Sequence, residues 1–312
     1  MRIVQITKKR YLRGSRTRAR EAANKAANKM VNGALLAASP LHQFTRFTNR
    51  GTGTDSCVIK NGIPKSGNHL IESIIAYLGK WERVGVTLVP NRWSLEGDVD
   101  GKVTTHVCLD SYAIKKIRNG QMVNALLPWT KGLERSLQIA TSSMRVKHVF
   151  IYRDPRDCFV SMLNWATYPE VDNNPGRRNL MLENFDSDDE RLTYVIKHLH
   201  GMADTRYAKR FAPWLQSHYC FAVRFEELYS DLHALRDGLL GSTLRDLLEY
   251  LEVDGASINP IDFYNKVYGK GYTFSSEAQK EGQYKRVFKD HHYALLDTPE
   301  FRETLRMFSY EW

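Results

Sequence analysis

Short apolar runs alternate along this chain with longer stretches in which apolar residues recur every three or four positions. Cys57-Val58-Ile59 is one such run. Asn61-Gly62 and Pro64 end it, and Leu70, Ile71, Ile74, Ile75 and Leu78 then recur at helical spacing. Val146 to Tyr152 is a second run, centred on Val149, Phe150 and Ile151, with Phe159, Val160 and Leu163 as the helical stripe that follows. The pattern predicts strands near 57–61, 84–89, 103–107, 146–152 and 219–225. It predicts helices over 68–80, 155–166, 190–216, 242–252 and 298–308. Strands that alternate with helices imply an α/β fold, a mainly parallel central sheet flanked by helices on both faces.

Composition bounds the picture. With 312 residues, 42% of them hydrophobic, the chain can build one sizeable domain and does not demand two. Charge changes the reading more. Residues 1–50 hold twelve Lys/Arg against the single acid Glu21, a net +11, whereas the whole chain carries +10, so residues 51–312 carry a net −1. The basicity therefore belongs to an N-terminal tail over residues 1–50, and residues 51–312 are expected to form a single domain. Three readings of the tail stay open: a disordered solvated segment, an arm touching an anionic membrane or polyanion, or a targeting peptide. No window of 18 uninterrupted apolar residues is present, so no transmembrane helix is expected. Cys57, Cys108, Cys158 and Cys220 are scattered, which suggests a reducing, cytoplasmic setting rather than a disulfide framework. His198, His200, His291 and His292 lack the spacing and carboxylate context of a metal site, and none is expected.

Two loops carry the candidate chemistry. Lys65-Ser66-Gly67-Asn68-His69 lies between the first strand and its helix, where unpaired N–H groups and the helix dipole favour an anion. Gly67 allows close backbone approach and Lys65 adds a full charge. A nucleotide-triphosphate loop reads G-x-x-x-x-G-K-[ST]; Gly62 and Gly67 have that separation, but Asn68-His69 stands where its lysine and metal-binding hydroxyl belong. An ordinary strand-to-helix turn is the alternative. The second loop is Arg153-Asp154-Pro155-Arg156-Asp157, with Asp154 suited to cap the next helix, Pro155 to its first position and Asp157 to its first turn. Arg153 then stands at the C-terminal edge of a strand, where open α/β sheets place ligands, with Ser161 two turns along the helix. The alternative there is an Arg–Asp pair at a helix cap.

These pieces, in order, resemble the cytosolic-type sulfotransferases. Pro64-Lys65-Ser66-Gly67 is similar to the family's P-K-S-G loop, which holds the 5′-phosphosulfate of 3′-phosphoadenosine 5′-phosphosulfate, and Arg153 with Ser161 resembles its 3′-phosphate motif. Thr105-His106 resembles the pair whose histidine is the catalytic base. Val223-Arg224-Phe225-Glu226-Glu227-Leu228 is similar to a strand ending in Tyr-Glu-Asp-Leu, with Phe225 in the tyrosine's place. Lys280-Glu281-Gly282 followed by Phe288-Lys289-Asp290-His291 resembles the C-terminal R-K-G and W-K-N-H segments. Asn68-His69 departs from paired threonines and Glu281 from a lysine, leaving Lys285 or Arg286 as nearby charges.

The resemblance implies a P-loop-like sulfotransferase fold and transfer of a sulfuryl group from that donor, without metal, to a small-molecule or glycan hydroxyl or an amine. Lys65 and His106 would be catalytic. Lys65, Ser66, Gly67, Asn68, His69, Arg153, Ser161, Phe225, Lys280 and Gly282 would hold the donor. A dimer motif known in part of the family is not visible, so no oligomeric state follows. A P-loop phosphotransferase, motivated by the glycine spacing, and an inactive polyanion-binding module, motivated by the tail, are the alternatives. The acidic stretch 170–190, with seven acids against two arginines, reads as an exposed surface loop or a lid, and Trp165 as a core residue or a wall of the acceptor site.

Overall fold

The computed structural model describes residues 54–89, 94–97, 103–108, 117–143, 145–167, 175–198, 209–268 and 281–312. The tail over residues 1–50 and Lys280 lie outside the described residues. Among the described residues, seven strands form one sheet: β1 (Ser56–Gly62), β2 (Glu82–Val89), β3 (Ser94–Gly97), β4 (Val103–Cys108), β5 (Gln121–Ala125), β6 (Arg145–Tyr152) and β7 (Phe221–Arg224). Their spatial order is β3-β4-β2-β5-β1-β6-β7. Every neighbouring pair is parallel except β3 with β4 at one edge. The α/β architecture with a mainly parallel sheet is therefore as the periodicity predicts. The strands β3 and β5 were not expected, and β5 lies at the centre, between β1 and β2.

The described helices are α1 (Asn68–Tyr77), α2 (Lys131–Ser143), α3 (Pro155–Thr167), α4 (Pro175–Asn184), α5 (Asp188–His198), α6 (Phe225–Ala234), α7 (Ser242–Tyr250), α8 (Pro260–Val267), the single turn α9 (Tyr284–Val287), α10 (Asp290–Leu296) and α11 (Pro299–Met307). Of the helix expected over 190–216, the described residues show Asp188–His198 and a helical end at 209–211, after which Pro213 sits in a 3₁₀ turn, Ala212–Gln216, since it cannot supply an interior helix hydrogen bond. The strand expected to reach 225 stops at Arg224, and Phe225 opens α6.

The acidic stretch expected as a loop contains α4 and the start of α5. Its acids serve the second helix. Glu190 accepts from the N–H groups of Asp186 (2.9 Å) and Ser187 (3.3 Å), while the Ser187 hydroxyl accepts from the N–H of Glu190, a reciprocal cap at a helix N-terminus that favours negative charge.

One face of the sheet packs Val58, Met122, Val149, Ile151 and Val223 against α1 and against α6, α7 and α8, through Ile71, Ile74, Leu228, Leu247 and Phe263. No residue of α3 belongs to that core. Its Phe159 lies instead against Phe301 of α11. Thus the adjacent parallel strands β1 and β6 send their following helices into different packing layers, and it is at the C-terminal ends of such strands that open α/β sheets place ligands.

Candidate functional site

The loop after β1 is built from within. Ser66 is fully buried; its hydroxyl lies 2.7 Å from the carbonyl of Ile63 and 2.9 Å from that of Ile151 on β6, and its N–H donates to Ile63 at 3.1 Å. Ser66 therefore shapes the loop and ties β1 to β6 rather than pointing at a ligand. Asn68 is turned inward too. Its side-chain amide donates to the Ile63 carbonyl at 2.7 Å. What the loop presents is backbone and charge.

Gly67 sits in the left-handed region, with φ at 99°, and caps α1. A Cβ there would meet the Phe225 ring at 2.5 Å and Ile151 at 3.1 Å, so the close approach requires glycine. Lys65 also has positive φ, 70°, although it is not glycine, a conformation that persists only where its surroundings impose it. Its ammonium stands 5.2 Å from the centre of the Trp165 ring on α3. Trp165 thus belongs to the loop's surroundings, where the sequence pattern left it undecided.

Arg153 follows β6 and is buried. Its guanidinium lies 4.2 Å from the centre of the Phe225 ring and 3.3 Å from the Asp157 carboxylate. Phe225 is therefore shared: one edge abuts Gly67, and Arg153 stacks on the ring. Asp154 caps α3 by accepting from the N–H of Arg156 at 2.9 Å, and holds the Arg156 guanidinium with both oxygens. Arg156 in turn stacks on Tyr284 at 4.3 Å.

Asp157 does more than sit in a first turn. Its carboxylate accepts from the N–H of Gly282 at 2.7 Å and from that of Tyr284 at 3.0 Å, which fastens the C-terminal segment beside Arg153. Gly282 makes that turn with φ at 66°. Glu226 completes the frame, accepting from the N–H of Asp154 at 3.0 Å and from the Tyr310 hydroxyl at 2.7 Å. Burial raises its pKa, and those two donors and Arg153 oppose the rise. An acid four residues after an arginine is also an ordinary helix pair, so the clamp on residues 282–284 has no signature in sequence.

Four expected residues thus meet around one ring or clamp: Gly67, Arg153, Phe225 and Gly282. Ser161 lies along α3, half-buried, as its spacing from Arg153 requires. Lys280 is outside the described residues, as stated. His106 lies on β4. Lys60 of β1 pairs with Asn124 of β5, Asn124 with Thr87 of β2, and Thr87 with His106, so all four share one level of the sheet. Three strand spacings, roughly 14 Å, separate β1 from β4.

A charged cluster under α1 was not foreseen. The Glu72 carboxylate is reached by Arg83 Nε at 2.6 Å, His69 Nδ1 at 3.6 Å and Lys60 Nζ at 3.8 Å. These partners outweigh burial and bring Glu72 down to about 2, whereas burial brings Lys60 down to about 8. Elsewhere Asp189, His291 and His292 lie within 4.8 Å of one another. His292 Nδ1 accepts from the N–H of Lys289, which leaves the proton on Nε2 to meet the Asp189 carbonyl at 3.2 Å, and the Lys289 ammonium stands 3.0 Å from the Asp189 carboxylate. These groups cap α10 and join it to α5.

No known family's sequence profile matches the chain, and no curated protein sequence matches it. Among solved structures it is similar to mouse sulfotransferase SULT7A1 complexed with PAP, at 14% identity and a TM-score of 0.47, over 84% of this chain and 89% of that one.

Proposed function

We propose that the chain is a sulfotransferase moving a sulfuryl group from 3′-phosphoadenosine 5′-phosphosulfate to an acceptor hydroxyl or amine. One observation carries the reading. The loop that begins α1 and the arginine that ends β6 converge on the Phe225 ring, so an anion-binding helix start and a guanidinium fork face one crevice. A donor with phosphate groups at both ends of an adenosine suits two cationic points separated by an aromatic ring. The order of the motifs along the chain supports the same class.

The transfer is an in-line displacement. The acceptor oxygen or nitrogen bonds to sulfur as the bond from sulfur to the bridging phosphate oxygen breaks. Charge grows on that oxygen, and Lys65 is the cation placed to stabilise it, together with backbone N–H groups at the start of α1. Arg153, with Ser161 and the segment fastened by Asp157, grips the far phosphate. His106 takes the acceptor's proton, which requires an acceptor lying across the C-terminal ends of β5 and β2. Positioned base catalysis is worth about 10² to 10⁴ in rate, so H106A should lose that much while still binding the donor product.

The glycine spacing also suits a P-loop phosphotransferase, but Asn68, at the lysine position of such loops, is neutral and its side-chain amide donates to the Ile63 carbonyl, while His69 stands where the metal-binding hydroxyl belongs. Transfer of radiolabelled sulfate from the donor to a pooled acceptor extract tests the proposal: wild type labels acceptors and K65A does not. Magnesium-dependent ATP turnover with no sulfate transfer would replace it by the phosphotransferase.

A further inference from the structure

Two consecutive residues of α6 hold two consecutive residues at the end of β6. Phe225 lies 4.2 Å from the Arg153 guanidinium, and Oε1 of Glu226 accepts from the N–H of Asp154 at 3.0 Å. Arg153 and Asp154 are both buried. Glu226 is held in turn. Its other oxygen, Oε2, accepts from the Tyr310 hydroxyl at 2.7 Å, while the Arg224 guanidinium lies over the Tyr310 ring at 4.4 Å. Arg224 Nε stands 3.5 Å from the same oxygen but makes no hydrogen bond among the described residues, so it does not stand in for the hydroxyl. Tyr310 is buried, and its ring meets Tyr152 of β6 edge-on at 6.4 Å, with Phe308 stacked on that same Tyr152 at 6.1 Å.

The chain reaches this place through a strained turn. After α11 ends at Met307, Ser309 adopts a left-handed conformation with φ at 60°. The N–H groups of Ser309 and Tyr310 then close the helix on the carbonyls of Arg306 at 3.0 Å and Leu305 at 2.9 Å. Glycine is the ordinary residue at such a helix end, so a serine keeps that conformation only where its surroundings impose it. We propose that Tyr310 is a positioning residue for the arginine of the far phosphate: through Glu226 and the Asp154 N–H it fixes where the junction of β6 and α3 places Arg153. A carboxylate with both oxygens engaged has one orientation. With Oε2 released it can turn, and the Asp154 N–H loses a fixed acceptor. Arg153 feels the change twice, because it precedes Asp154 in the chain and stacks on Phe225, which precedes Glu226.

The link to the far phosphate rests on the sulfotransferase reading, but the relay from Tyr310 to Asp154 does not. Calorimetric titration of the full chain with adenosine 3′,5′-bisphosphate and with adenosine 5′-monophosphate gives, as the ratio of the two affinities, the contribution of the 3′-phosphate. A general loss of folded protein leaves that ratio unchanged. In Y310F, which removes the hydroxyl and keeps the ring, the ratio should fall at least about threefold. E226Q should do the same, since an amide offers an acceptor to one of the two donors only. In R153A the ratio is low already, and adding Y310F should lower it by less than about twofold. A smaller fall in Y310F, or a larger one in the double variant, would overturn the proposal. If wild type bound both nucleotides equally or neither, the sulfotransferase reading would fall instead, and exchange of the Asp154 amide, followed by NMR, would decide the relay. Exchange at least about threefold faster in Y310F than in wild type supports it, and a smaller change overturns it.

Discussion

At Gly67 a single missing carbon decides whether the loop can exist. Its φ is positive and a Cβ would press into the Phe225 ring, so G67A carries both backbone strain and a clash against a side chain that also supports Arg153. We expect a loss of about 1–3 kcal/mol in urea unfolding, with weakened nucleotide binding in the same protein. Asp157 is the second such point. It is buried and serves one guanidinium and two backbone N–H groups, and D157A removes that carboxylate from all three. Breaking a buried charge pair costs roughly 3–5 kcal/mol, and the same titration should show it. A cost near zero would mean that the 282–284 segment is held by other contacts. Neither role was legible in sequence. Gly67 was read as a place for ligand approach, while the atom that excludes a side chain there comes from residue 225.

Among elements, the strands and helices with clean periodicity were readable and the others were not. Cys57-Val58-Ile59 and Val149-Phe150-Ile151 are uninterrupted apolar runs with turn residues after them, so β1 and β6 follow directly, and with them the two loops. The central β5 was missed because Gln121 and Asn124 interrupt its apolar residues, although all five positions are buried. Gln121 is buried with its side chain accepting from the N–H of Arg118 at 2.9 Å, a local bond that periodicity does not reveal. Helices α6 and α8 lie on the packed face but begin directly after a strand or at Pro260, without a long stripe of their own.

The opposite face of β6 carries a titration that follows from burial. His148 is buried edge-on against Trp214 at 4.5 Å, and desolvation brings its pKa down to about 3. In the unfolded chain it titrates near 6.5, so between those values the unfolded state binds the proton and the folded state does not. Stability should therefore fall as pH drops from about 6.5 towards 3. In H148L that contribution disappears, and urea midpoints of the two proteins should draw together as pH rises above about 6.5. Parallel curves over the whole range would contradict it.

For the molecule as a whole, charge and chemistry are segregated. Residues 1–50 carry +11 and the remainder −1, so the transfer proposed for residues 51–312 should not need the tail. Removal of residues 1–50 should leave kcat within about twofold while abolishing any salt-sensitive retention on anionic vesicles, because exposed charges are screened beyond a Debye length of about 8 Å at physiological salt. Loss of transfer in the truncated protein would make the tail part of the site. The central claim is the shared crevice of Lys65 and Arg153, and its most direct measurement is calorimetric titration with adenosine 3′,5′-bisphosphate in the presence of a chelator. Wild type should bind without metal, and K65A and R153A should each weaken binding about 10- to 150-fold, the equivalent of one lost charge-assisted hydrogen bond. Absence of binding to wild type, or wild-type affinity in R153A, would contradict the account.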